Sequence, residues 1–277
     1  MVALATRFGN FQTTQQTRQL TEIEMREIAP SIFAMEAHES RSSRYGFVST
    51  FDVLRGLQGE GFAPFMVAQS RSRVAGKSEF TKHIIRLRHV DKIGNGGSPE
   101  VILLNSHDGT SSYQMMGGWF EFVCANGLIR GHAGEDIRVK HSGDVVANVI
   151  EGAHEVLGTL KGVSDQREAM QCLTLSEDER RAYARAALEL RYDEGQAPIG
   201  PERLLNVRRY EEGQDAASLW RTFNVVQENA IRGGLSGIDA NRRRVRTHEV
   251  TGIDQSTKLN KALWVLTEEM RKIKSAA

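Results

Sequence analysis

Apolar positions alternate along the first half of the chain and recur at three- and four-residue intervals along the second. The first pattern predicts strands. Over Phe65–Arg73 one face carries Phe65, Val67, Gln69, Arg71 and Arg73, and the other Met66, Ala68, Ser70 and Ser72. Phe80–Val90 alternates more clearly, with His83, Ile85, Leu87 and His89 opposite Lys82, Ile84, Arg86 and Arg88. Asn95-Gly96-Gly97 is hairpin chemistry, and Glu100–Ser106 contains the apolar run of a third strand. A helix is expected over Glu22–Ala29, ending before Pro30, and another over Phe51–Glu60, capped by Ser49-Thr50 and stopped by Gly59 and Gly61.

The chain is organised around Glu100–Ile129. After its strand, Asn105-Ser106-His107-Asp108-Gly109 is a turn in which Gly109 supplies a positive φ. Tyr113, Met116, Phe120, Val123 and Cys124 then fall at helical spacing, so a helix is expected from about Ser111 to Ala125, closed by Asn126-Gly127. Leu128-Ile129 and Ile137–Val139 add short strands.

From Gly143 the pattern is helical. Val145, Val146, Val149, Ile150, Ala153, Val156, Leu157 and Leu160 form one stripe, and Ser176-Glu177-Asp178-Glu179 is a capping box opening a helix to about Tyr192. Gln196–Pro201 reads as a linker. Leu219, Phe223, Val226 and Ala230 mark a helix stopped by Gly233-Gly234, and Leu259, Leu263, Leu266 and Met270 mark the last. The expected fold is α+β: an antiparallel meander of three to five strands packed by helices, followed by a helical C-terminal part. The expected division is an N-terminal arm (1–40, polar and rich in Gln and Thr to about residue 24), a core with a basic sheet (41–164) and a helical region (165–277).

Composition narrows the class rather than the activity. The 277 residues are 40% hydrophobic and 26% charged, with a formal net charge of +1, so nucleic-acid affinity must come from local patches. Cys124 and Cys172 are the only cysteines and are expected as reduced packing residues. No stretch has the pattern of a signal peptide or a membrane span, so the expected location is the cytoplasm and no membrane partner is expected.

Charge is unevenly placed. Between Phe65 and Val90 lie six basic residues, Arg71, Arg73, Lys77, Lys82, Arg86 and Arg88, and one acid, Glu79. Set on an open sheet face they would track phosphates. The bland alternative is a solvated face, which usually mixes signs. Arg242, Arg243, Arg244 and Arg246 form a second basic run in an expected loop. His107 and Asp108, with His83, His132 and His141 elsewhere, invite a metal or catalytic reading, but no metal-ligand spacing accompanies them. The reading adopted is structural: Asn105, His107, Asp108 and Gly109 build a turn. Gly117-Gly118 fits close helix approach, since no phosphate-loop pattern exists, and no cofactor is expected. Trp119, Trp220 and Trp264 all fall in expected helices and read as packing.

Several stretches resemble the phage/plasmid-like family catalogued as domain of unknown function 932. They are His38–Ser42, Phe80–His83 with Arg86–Arg88, Asn105–Gly109, Phe122–Cys124 with Asn126–Leu128, Val226–Asn229 with Ile231–Gly234, and Thr251–Asp254 with Leu259–Trp264. The resemblance runs nearly end to end and implies a bacterial protein of a prophage or plasmid. It carries no catalytic residues. The order helix, meander, helix is also similar, at the level of fold alone, to single-strand annealing recombinases.

The leading expectation is therefore a non-enzymatic protein that binds single-stranded DNA through the basic sheet face, extended by the arginine run. It would act as a homo-oligomer in recombination or DNA maintenance. The alternatives are a module that binds a host or phage protein in defence or counter-defence, and a metal-dependent hydrolase using His107 and Asp108.

Overall fold

The computed structural model describes residues 11–15, 18–41, 45–72, 74, 76–93, 97–121, 126–129, 136–140, 143–208 and 217–276. In chain order the elements are β1 (Phe11–Gln15), α1 (Glu22–Ile28), α2 (Thr50–Gly59), β2 (Phe62–Ser70), β3 (His83–His89), β4 (Gly97–Asn105), β5 (Tyr113–Glu121), β6 (Asn126–Ile129) and β7 (Ile137–Val139). There follow α3 (Val145–Thr159), α4 (Val163–Cys172), α5 (Glu177–Arg191), α6 (Pro201–Leu204), α7 (Leu219–Arg232), β8 (Ser236–Ile238), β9 (Arg244–Arg246) and α8 (Ile253–Ala276). The fold is α+β. Two compact units form: residues 1–122, 133–161 and 251–253, and residues 123–132, 162–250 and 254–277.

The first unit is built on the antiparallel succession β1-β2-β3-β4-β5, with β7 paired to β5. Part of the expected arm is integrated here, because Phe11–Gln15 pairs with β2 as a strand. Thr21 caps α1 in a reciprocal box with Glu24, and Pro30 follows it in a short 3-10 turn where Ile32 and Phe33 are buried. The Asn95-Gly96 turn lies outside the described residues, although β3 and β4 pair as a hairpin requires.

The expected helix over Ser111–Ala125 is instead the strand β5, followed by β6 from Asn126. Tyr113, Met115 and Trp119 point to one side of the sheet, Met116 and Phe120 to the other, and all five are buried. A strand buried on both faces has apolar residues at every spacing, so a helical stripe can be read into it. Two adjacent glycines decide the matter, since each would cost a helix about 1 kcal/mol. Here Gly117 pairs with Val101, and a Cβ on it would sit 2.9 Å from Leu160, so its missing side chain admits the end of α3 to the sheet. Trp119 is thus a strand residue, while Trp220 and Trp264 are helical; all three are buried.

Helices α2 and α3 cover the face of Val67, Ile85, Leu87, Val101, Leu103 and Met115. They approach closely at Gly56, where a Cβ would lie 2.9 Å from Val146. The opposite face is buried too: Ile84, Arg86, Arg88, Glu100, Ile102, Leu104 and Met116 are all inaccessible.

The second unit is helical around α7, in which every residue from Leu219 to Ala230 is buried. Leu219, Phe223, Val226 and Ala230 supply its apolar stripe; the Phe223 ring meets that of Trp220 at a tilt and that of Trp264 edge to face. Its polar side is also enclosed, with Gln227 bonding Asn260 and Asn229 holding the carbonyls of Leu204 and Asn206 at 2.8 Å. Gly233 ends the helix at φ 60° against the His248 carbonyl, leaving no room for a Cβ. Ser176 and Glu179 form the expected reciprocal cap of α5. Cys172, expected to pack, is exposed at the end of α4; Cys124 lies outside the described residues.

Candidate nucleic-acid interface

The basic strands do not present an open cationic face. Arg86 and Arg88 do share a side of β3, but that side is buried. The Arg86 Nε donates to Glu100 Oε2 at 2.5 Å and the Arg88 Nε to Oε1 at 2.8 Å. The Arg88 guanidinium also lies 4.3 Å from the Phe65 ring centroid and 4.0 Å from that of Phe120. Burial pulls its pKa down, and the Glu100 carboxylate pushes back. The counter-charge comes from the neighbouring strand, beyond the stretch over which the basic residues accumulate. Lys77 pairs with Asp108 at 3.2 Å, Lys82 is half-buried, Arg71 is exposed, and Arg73 lies outside the described residues.

The polar turn closes on itself. Gly109 takes φ 77° and carries the Arg41 side chain against it. Asp108 accepts from the Thr110 amide at 3.0 Å and the Thr110 hydroxyl at 2.6 Å. Burial alone would raise the Asp108 carboxyl; bonds from Thr110 and Lys77 more than offset it, so its pKa falls below the usual range. Three of the sequence stretches singled out above meet here. The His38 amide donates to the His107 carbonyl, and the His107 amide to the Phe80 carbonyl, both at 3.0 Å.

Beneath the turn, Thr50 collects four polar neighbours. Its hydroxyl lies 3.0 Å from His83 Nε2, 3.1 Å from His107 Nε2, 3.0 Å from Asn105 Nδ2 and 3.2 Å from the Tyr113 hydroxyl. The Thr81 carbonyl, 3.2 Å from His83 Nδ1, can only accept, so the His83 proton sits on Nδ1. Thr50 then gives its one proton to His83 Nε2 and accepts from Asn105 and His107. The Tyr113 hydroxyl donates to the Val48 carbonyl at 3.1 Å. Burial, then the adjacent His107 ring, lowers the His83 pKa to about 3. Asn105 and His107 therefore bond a side chain at the start of α2. Among the described residues no three His, Cys, Asp or Glu side chains gather as metal ligands; His132 and His141 lie outside them.

The arginine run is differently placed. Arg244 and Arg246 lie on β9, paired to Ile238 and Ser236 of β8, and Arg242 and Arg243 lie in the connecting turn. All four are exposed. Among the described residues none of their guanidinium groups has an ion-pair partner. The turn is built by Asp239, whose carboxylate accepts the Asn241 amide at 2.9 Å and the Arg243 amide at 2.8 Å. Arg242 occupies φ 60°. The ribbon is anchored to its own unit by the Ile238 amide, which donates to the Pro198 carbonyl at 2.8 Å. Arg203, an exposed residue of α6, faces the same ribbon across a shallow cavity. It follows Glu202 in a four-residue helix, and no sequence pattern marks it.

Among the described residues no helix is long and apolar enough to cross a membrane. The chain is 47% identical over 270 residues to the UPF0380 protein YafZ of Escherichia coli (strain K12), and 46% identical over 270 residues to the UPF0380 protein YfjQ of the same strain. Each alignment covers 98% of both chains. No solved structure matches the chain. Residues 37–264 match the family described as Domain of unknown function (DUF932), and with that match and two relatives of full length, the chain belongs to this family.

Proposed function

We propose that this protein binds nucleic acid, with single-stranded DNA as its partner, through the arginine ribbon of β8 and β9. The observation that carries the reading is the exposure of Arg242, Arg243, Arg244 and Arg246 on one β-ribbon whose turn Asp239 already holds. Guanidinium groups without carboxylate partners match phosphate oxygens in charge and in the geometry of their donors. Ile238, 60% exposed and paired across the ribbon with Arg244, offers an apolar contact to an unstacked base, which a duplex does not present. In this reading the sheet arginines Arg86 and Arg88 support the fold and take no part in binding. The associated role is DNA maintenance or recombination on a bacterial mobile element, in the cytoplasm and as an oligomer, with no chemical step of its own.

Fluorescence anisotropy with a single-stranded oligonucleotide and its duplex, across a salt series, tests this. Each contacted phosphate should contribute about −0.7 to the slope of log K against log salt on a single strand. The double variant Arg244→Gln, Arg246→Gln should weaken binding and make that slope shallower by roughly 1.4. An absence of affinity at low salt, with a defined protein complex recovered instead, would shift the reading to a protein-interaction module.

A further inference from the structure

We infer that Arg203, Arg244 and Arg246 form a receptor for the terminal phosphate monoester of a nucleic-acid strand. The inference rests on the nucleic-acid reading above and adds a ligand group and a residue to it. The three side chains line a cavity of about 490 Å³, completed by Ser236, Gly237, Ile238 and Val245. That volume lies in the range of small-ligand sites and admits one nucleotide. Among the described residues no carboxylate lines it. Glu202, the acid next to Arg203 in sequence, is turned to Arg181 at 3.5 Å.

The walls are fixed while the cationic ends stay free of partners among the described residues. On one side, Leu204 is buried, and the Asn229 side chain holds the carbonyls of Leu204 and Asn206. On the other, the Ile238 amide bonds the Pro198 carbonyl, and Gly237 sits so close to Pro198 that no Cβ would fit. Guanidinium donors held on rigid backbone lose little freedom on binding.

Charge selects the ligand. Three guanidinium groups with no acid among them favour a dianion over a monoanion. An internal phosphodiester carries one negative charge, whereas a terminal monoester carries about −1.5 to −2 near pH 7.

The test uses the full-length protein and one 20-nucleotide sequence prepared with a 5′-phosphate, a 3′-phosphate or hydroxyl ends, measured by anisotropy. A phosphorylated end should bind at least about fivefold tighter than the hydroxyl form at pH 7.5. The preference should shrink at pH 5.5, where the monoester loses its second charge. Arg203→Gln should abolish the preference while keeping affinity for the hydroxyl oligonucleotide within about twofold, which also shows that the variant is folded. Equal binding of all three ends, or an undiminished preference in Arg203→Gln, overturns the inference and leaves the ribbon reading standing. Failure of every oligonucleotide to bind overturns both. Displacement by a nucleoside monophosphate at the same affinity as the phosphorylated strand would assign the cavity to a free nucleotide and overturn the strand-end assignment.

Discussion

Mild acid should destabilise this protein through one imidazole. His83 is fully buried, its Nδ1 proton is committed to Ser31 and the Thr81 carbonyl, and its Nε2 accepts from Thr50. Its pKa of about 3 in the fold compares with about 6.5 in an unfolded chain. Between those values the unfolded chain binds a proton that the folded chain refuses. Stability is therefore fully present above pH about 6.5 and is lost as pH falls toward about 3. At 1.36 kcal/mol per pH unit the whole interval is worth roughly 5 kcal/mol. Between pH 7.5 and pH 5.0 the expected loss is about 2 kcal/mol. Urea unfolding at the two pH values, followed by far-UV circular dichroism, measures it. His83→Gln should be less stable at pH 7.5 yet lose about 2 kcal/mol less than the wild type on going to pH 5.0. If the variant and the wild type lose stability in parallel, a neutral buried His83 is not the source and the hydrogen-bond assignment around Thr50 is wrong.

Three further outcomes follow from packing. Glu100→Gln removes the carboxylate from Arg86 and Arg88 and should cost about 3–5 kcal/mol in urea unfolding, because two buried cations lose their counter-charge. Asn229→Ala leaves the carbonyls of Leu204 and Asn206 without their donor and should cost about 2–4 kcal/mol, read as a lower thermal midpoint. Ser176→Ala opens the capping box of α5 and should cost about 1 kcal/mol; Ser176→Asp, which keeps an acceptor at the cap, should restore most of it.

The parts of the fold that could be read from the sequence are those where one rule acts alone. β3 alternates from Ile85 to Arg88, α5 has a capping box, and the Leu219–Ala230 stripe ends on a glycine pair. The strand β5 was hidden because its two buried faces supply apolar residues at helical as well as alternating spacing; Gly117-Gly118 was the contrary signal. The placement of Arg86 and Arg88 depends on Glu100 of the adjoining strand, so charge counted along one stretch misplaces them on an open surface. Asn105 and His107 follow the same logic, since their partner Thr50 begins a helix more than fifty residues earlier. The arginine run was legible as an exposed basic segment because no acid interrupts it. Its ribbon geometry was not, since it depends on Asp239 binding two amides and on Gly237 meeting Pro198.

The Arg86–Glu100–Arg88 triplet also constrains how the chain finds its pairing. A guanidinium does not shed its proton at any pH the protein meets, so this interior charge cannot be neutralised while strands search for one another. If β3 slipped by one residue against β4, both arginines would turn toward the side of Ile85 and Leu87; a slip of two would draw them away from Glu100. Either misalignment leaves a cation in an apolar layer without its carboxylate, at a cost of several kcal/mol. Apolar residues stand on both faces of β3 and β4, so a shifted register would still bury hydrophobic groups. The charged triplet has one register only, and it penalises near-miss sheets as the core closes over them.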